Sequence, residues 1–325
     1  MLPTNRLLMA IIVIAGVPLV TIGYVAVFDW LVGRFPERAQ HRIRPWVWLA
    51  PALFLLGFYL VYPSIRTIQL SFLNADSTQS VGLANYIFDF TNPATLIALR
   101  NSLYWLVVLT ASVVGLGLAF AIILDRVRYE SFAKAVVFMP LAISFVAAGV
   151  IWKLQYDFRP PMVAQTGTLD GILKAVGGQP VPWLINGSVN NLALIWVGIW
   201  MWTGFAMVIL SAGLKGIPGE IIEAARVDGA SEWQLLRGIV IPMLGPTIAV
   251  VSTTMFITAL KTFDIVYVMT NGNFNTSVVA LRMYKEMFDF NNFGRAGADA
   301  VILLVAIIPI MLFNIRQFRQ QEAQR

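Results

Sequence analysis

Seven apolar runs, each close to the length that crosses a bilayer, decide what this chain can fold into. They occupy roughly residues 7–28, 46–65, 102–124, 135–152, 192–214, 239–260 and 296–315, and a spanning helix needs about 20 such residues. Hydrocarbon offers no water to backbone amides, so runs of this length become helices whose hydrogen bonds close internally. Only 12% of the residues are charged, against roughly 25% in a soluble domain. The expected fold class is therefore all-α: a polytopic transmembrane helical bundle of about seven spans. The first run is too long for a signal-peptide core and no A-x-A-like site follows it, so it reads as a retained span.

Pro18, Pro51, Pro140, Pro246 and Pro309 fall inside these runs. In lipid a proline is tolerated where neighbouring helices satisfy the freed carbonyl, so these mark kinks in a packed bundle rather than ends. The small residues of "ASVVGLGLAFA" suit close helix packing. Basic residues alternate from loop to loop: Arg34, Arg38, Arg42 and Arg44, then Arg126, Arg128 and Lys134, then Lys215, Arg226 and Arg237, then Arg316, Arg319 and Arg325. Positive charge marks the cytoplasmic side. The N-terminus is then outside and the C-terminus cytoplasmic, with long outer loops at roughly residues 66–101, 153–191 and 269–295.

The net charge of +6 belongs to these flanks. No basic, aromatic-interleaved domain stands outside the membrane, so nucleic acid is not an expected partner. With no cysteine and one histidine, neither a thiolate metal site nor a catalytic triad with a metal is available, and no metal or catalytic residue is expected. His41 lies in a basic loop and reads as a solvated side chain.

One cytoplasmic loop carries "LKGIPGEIIEAARVDGASEWQLLRGIVIPMLGP". Pro218 and Glu220 suit a helix start. Asp228-Gly229 is a turn signal. Ser231 stands three residues before Gln234, a capping-box spacing that opens a second helix. The expectation is helix, turn, helix along the inner face, either as an interfacial amphipathic segment or as a docking surface. The spacing Glu223-Ala224-Ala225, three residues, Gly229, nine residues, Ile239, then Pro242 resembles the EAA loop of binding-protein-dependent ABC importer permeases. The family has leucine before that proline where this chain has Ile241. From about residue 46 to the end, "VWLAPALFLLGFYLVYPSIRTIQLSF", "FMPLAISFVAAGVIWKLQYDF" and "LKTFDIVYVMTNGNF" resemble the carbohydrate, maltose-type branch, most of all α-glucoside permeases and their glucosylglycerol-transporting relatives.

The resemblance implies a type I ABC importer permease in the bacterial plasma (inner) membrane. Residues 46–325 would be the six-helix core, with the coupling loop at about 218–242, and residues 1–45 an additional N-terminal helix with its basic cytoplasmic loop. It implies as partners a second homologous permease in a heterodimer, two cytoplasmic ATPase subunits, an extracytoplasmic sugar-binding protein, and an oligosaccharide substrate, all within membrane lipid. Glu223, Ala224, Ala225, Asp228 and Gly229 would dock the ATPase. The chain has no G-x-x-x-x-G-K-[ST] loop, so ATP chemistry would belong to another subunit and no cofactor is expected here. The family's sugar contacts fall on Trp202, Phe205 and Ala206, and on Thr258, Ala259 and Thr262. Aromatic faces and hydroxyls suit a sugar, but Trp196, Trp200 and Trp202 equally suit a lipid-facing or packing stripe.

Lys261 and Asp264, three apart, would share a helix face. They could pair with each other, Lys261 could bind sugar oxygens, or both could lie at the outer interface, as could Asp299. An ion-coupled secondary transporter would also explain the spans, but not the EAA-spaced loop, and no inverted repeat is visible. A membrane-embedded enzyme would require a carboxylate or metal cluster, and the acids are scattered.

Overall fold

The computed structural model describes residues 3–323, and every regular element among them is helical. By compactness the chain divides into Met1–Arg66 and Thr67–Arg325.

The first unit is built on two antiparallel helices, α1 (Pro3–Val32) and α2 (Glu37–Leu56). Tyr24 donates its hydroxyl hydrogen to the Val47 carbonyl at 2.8 Å, and Arg44 pairs with Asp29 at 2.9 Å. The basic segment expected as a loop is helical from Glu37 onward. Pro36 sits at the N-cap and Glu37 in the first turn, where an acid favours the positive end of the helix dipole. His41 thus lies exposed on α2, not in a loop. The helix continues through a π turn at Gly57–Val61 into α3 (Tyr62–Leu70).

The second unit carries α4 (Ala84–Thr91), α5 (Pro93–Leu124), α6 (Glu130–Phe138), α7 (Phe145–Gln155), α8 (Thr168–Ala175), α9 (Asn190–Lys215), α10 (Gly219–Val227) and α11 (Glu232–Leu235). There follow α12 (Ile241–Met243), α13 (Gly245–Leu260), α14 (Asp264–Met269), α15 (Val279–Phe288) and α16 (Phe293–Ala323). Among the described residues five helices are long and apolar enough to span: Ile14–Val32, Glu37–Leu70, Pro93–Leu124, Asn190–Lys215 and Phe293–Phe313. The total reaches seven when two bent pairs are each taken as one span. These are Glu130–Ala142 with Phe145–Gln155, bent by 99°, and Glu232–Met243 with Gly245–Leu260, bent by 68°.

The seven expected runs thus have helical counterparts, two of them broken. The prolines explain the difference. Pro18, Pro51 and Pro309 lie inside continuous helices. At Pro140 the chain tightens into a 3-10 turn, and Ser144 then caps a new helix by accepting from the Ala147 amide at 3.1 Å. Pro246 sits in the first turn of α13, where its missing amide costs nothing.

The helix α9 is the centre of this unit: 61% of its apolar window is buried inside the chain, against 28% for α5 and 22% for α16. It packs along α5 through Leu194, Val197, Met201, Met207 and Leu210, against Trp105, Leu109 and Val113. Lipid is as apolar as these side chains, so close contact rather than water exclusion holds such helices together. At the small-residue stripe a Cβ on Gly117 would lie 2.5 Å from that of Ala206.

At the end of the unit where α9 begins, buried amides clamp the loop before α15. Asn101 donates to the carbonyls of Asn275 and Ser277 at 2.7 and 2.8 Å, and Asn190 to that of Phe274 at 2.8 Å. Asp299, considered as an interfacial residue, is instead wholly buried beside α15, as is Asp89 on α4. Burial pushes the Asp89 carboxyl up to about 6, and Arg282 opposes that rise.

Candidate functional site

Two features are linked by α9 and α13. The first is a cavity of about 380 Å³. On α9, Gly198 and Trp202 are one turn apart and face the same side; α13 supplies Ile257 and Thr258, and the turn after it Lys261, Thr262 and Phe263. Asp264 and Ile265 open α14, while α5 adds Trp105 and Leu109 and α7 adds Phe145. The Phe145 and Trp202 rings stack 6.2 Å apart with 29° between their planes. The Thr258 hydroxyl donates to the Thr254 carbonyl at 2.8 Å, leaving its oxygen lone pairs free to accept.

Lys261 and Asp264 do not share a helix face. The helix α13 stops at Leu260 and α14 starts at Asp264, with Phe263 outside helical geometry between them at φ −139°. Both line the cavity, and neither forms an ion pair with another described residue. A wall of aromatic rings with a few polar groups is what a small-molecule site requires.

Of the residues expected on the substrate path, Trp202, Thr258, Lys261 and Thr262 come together here. The others lie behind this wall. Phe205 meets Trp202 edge-on at 5.5 Å, and Ala206 and Ala259 are buried packing residues. Sequence reasoning missed Trp105, Phe145 and Phe263. Phe145 carries a local signal, since Ser144 is a helix cap that aims the first turn of α7; nothing local distinguishes Trp105 from other aromatic residues in its span.

The second feature is the loop that α10 forms. Its end is a Schellman motif: the Ala230 amide donates to the Ala225 carbonyl at 3.0 Å and the Gly229 amide to that of Arg226 at 3.1 Å. Gly229 takes φ +85°, a conformation that glycine adopts without strain. The Ser231–Gln234 capping box is present, with the Ser231 amide donating to Gln234 Oε1 at 2.8 Å. Helix, turn and helix are therefore arranged as the sequence predicted. Ile222 and Ala225 pack inward on Leu235, Val240 and Leu244. Glu223, Ala224, Asp228 and Gly229 face outward, beside Val227, which is 87% exposed.

Glu232 ties this loop to α5. One carboxylate oxygen accepts from Arg126 at 2.6 Å, just beyond α5, and the other from Arg226 at 3.0 Å, in the last turn of α10. Exposed pairs of this kind add little stability, so a positioning role for Glu232 is tested apart from stability. Glu232→Arg should leave the melting temperature nearly unchanged but lower amide-exchange protection across α10 several-fold, and Arg126→Glu in the same chain should restore part of it. An equal loss in the double variant would refute a positioning role.

Residues 98–322 match a protein family described as "Binding-protein-dependent transport system inner membrane component". The chain is similar to the osmoprotective compounds uptake permease protein GgtC of Synechocystis sp., with 53% identity over 86% of this chain and 100% of that protein. It is also similar to the alpha-glucoside transport system permease protein AglF of Rhizobium meliloti, with 44% identity over 89% of each. Among solved structures, a chain of a bacterial ABC transporter involved in the import of alginate shares the fold. Its TM-score is 0.74 at 22% identity, covering 87% of this chain and 99% of that one.

Proposed function

This chain belongs to the family of binding-protein-dependent transport system inner membrane components, and from that premise we propose that it is one half of the pore of an ATP-driven glycoside importer. Its substrates are α-glucosides and compact osmoprotective glycosides such as glucosylglycerol. The name of one relative cites alpha-glucosides and that of the other osmoprotective compounds, which supports the first class directly and the second as osmoprotective solutes. The loop faces the cytoplasm, the C-terminus lies on the same side, and the cavity lies toward the exterior. A second homologous permease completes the pore, two ATPase subunits dock on the α10 loops, and an extracytoplasmic binding protein delivers the sugar. This chain binds no nucleotide and catalyses no reaction; ATP is bound by the ATPase subunits.

One observation carries the reading: the same two helices, α9 and α13, line the cavity and flank the outward-facing loop in the chain. Movement of α10 is therefore passed to Trp202 through α9, and to Thr258 across the 68° bend between Met243 and Gly245. Closing of the ATPase dimer draws the loops together, and the bundle exchanges an outward-open cavity for an inward-open one. At the cavity, sugar C–H faces stack on Trp202 and Phe145, and hydroxyls meet Thr258, Thr262, Lys261 and Asp264. The unpaired Lys261 and Asp264 provide a donor and an acceptor on opposite sides of a turn.

The test is purification of the tagged chain in mild detergent, with identification of what accompanies it. Recovery of a second permease and an ATPase, with the ATPase alone lost from Glu223→Arg, is the expected result. Recovery of the chain alone, under conditions that keep a control importer intact, would overturn the reading.

A further inference from the structure

We propose that an aromatic track on α14 and α15 forms a second glycoside-binding site, leading from the cavity to the exposed end of the second unit. The ligand class rests on the function proposed above; the track itself rests on geometry. Phe263, which lines the cavity, has its ring 5.1 Å from Tyr267 and 5.1 Å from Tyr284. Tyr267 and Tyr284 are 5.5 Å apart, and Tyr284 is 4.8 Å from Phe288. Four rings thus form an unbroken series with one end in the cavity. The spacing arises simply. Phe263 and Tyr267 are four apart, as are Tyr284 and Phe288, so each pair lines one edge of its helix or helix start. The two edges lie side by side.

Phe263 packs against the core, and the track opens outward from it. Tyr267 is 41% exposed and Phe288 62% exposed. Neither α14 nor α15 is among the segments long and apolar enough to span a bilayer. A second aromatic group in the same unit shows what packing looks like. Trp152, Tyr156 and Trp183 are similarly spaced, at 5.4 and 5.8 Å. There Tyr156 is 4% exposed and its hydroxyl donates to the Ala193 carbonyl at 3.0 Å. On the track, the Tyr267 and Tyr284 hydroxyls hydrogen-bond to each other with the Asp289 carboxylate nearby, and each oxygen keeps a lone pair that can accept. Lys285, adjacent on α15, is held away by donating to the Asn271 carbonyl at 2.7 Å.

Partly exposed rings beside phenolic hydroxyls fit the apolar C–H face of a pyranose with its hydroxyls turned to water. The chemistry selects uncharged glycosides with at least one pyranose ring. Successive weak stacking sites allow a sugar to move from Phe288 toward Phe263 without leaving the surface, so the track collects ligand for the cavity.

The test uses the assembled importer in lipid nanodiscs without binding protein, and reads saturation-transfer NMR signals of sucrose and trehalose. Phe288→Ala and Tyr284→Ala together should lower the sugar signal about threefold or more, whereas Phe288→Trp and Tyr284→Phe, which keep the ring faces, should retain it. An unchanged signal in the double alanine variant would overturn the track and leave the importer reading standing. Failure of the wild-type chain to bring down an ATPase would overturn that reading instead. An intact sugar signal with lost stimulation of ATP hydrolysis by the binding protein would make these rings a protein-docking surface, and would also overturn the proposal.

Discussion

Gly229→Trp should leave the chain folded and abolish transport. A Cβ at this position would meet nothing within 4 Å, so no neighbour in this chain excludes a larger residue. The cost within the chain is conformational alone. A non-glycine residue at φ +85° loses about 1–2 kcal/mol, a loss confined to one exposed turn. The indole would instead project from the outward face formed with Glu223, Ala224 and Asp228, where the proposed ATPase must sit. Uptake should therefore fall to the level of a strain lacking the permease, while the purified chain melts within a few degrees of wild type. Gly229→Ala separates the two effects, because it keeps the strain and omits the bulk; most of the transport should survive. Normal uptake by the tryptophan variant would remove the docking role from this surface.

Gly204→Val should have the opposite character: loss of the fold itself. Gly204 lies in the middle of α9, and a Cβ there would be 2.6 Å from the Phe138 Cα, with the Val137 carbonyl oxygen nearer still. Both neighbours are backbone, so no rotamer change relieves the contact. Overpacking a well-filled site costs about 1–3 kcal/mol when side chains can adjust, and more is expected where α6 must move bodily from α9. Since α9 organises the core and one wall of the cavity, the variant should show little monodisperse protein by size-exclusion chromatography in detergent. Gly115→Ala, on the neighbouring long helix with nothing within 4 Å, should be indistinguishable from wild type. Comparable yields from both variants would refute the close-packing account.

Much of this molecule was legible as pattern. The apolar runs required membrane helices because backbone amides in hydrocarbon must bond within their own segment. The α10 turn was legible at single-residue detail, since Asp228-Gly229, Ser231 and Gln234 act through atoms at most a few residues away. The Schellman bonds and the capping box are both present. Local chemistry of this kind is independent of the rest of the fold. Prolines were less informative. Pro18 and Pro309 sit in continuous helices while Pro140 ends one, and the residues alone do not say which neighbour will satisfy the freed carbonyl.

The sequence by itself determined a helical membrane protein, the architecture of one loop, and a resemblance specific enough to name a family. Tertiary structure alone decided which side chains meet. It placed Trp105 and Phe145, from different spans, beside Trp202, and it withdrew Ala206 and Ala259 into the packing. It put Lys261 and Asp264 on either side of a helix break rather than on one face. It also brought Tyr284 to Tyr267. The physical reason is the same throughout. Helix formation and capping are governed by contacts within a turn or two, which spacing records. A cavity is the space that several packed helices leave between them, and its shape depends on crossing geometry and on the few glycines that let backbones approach.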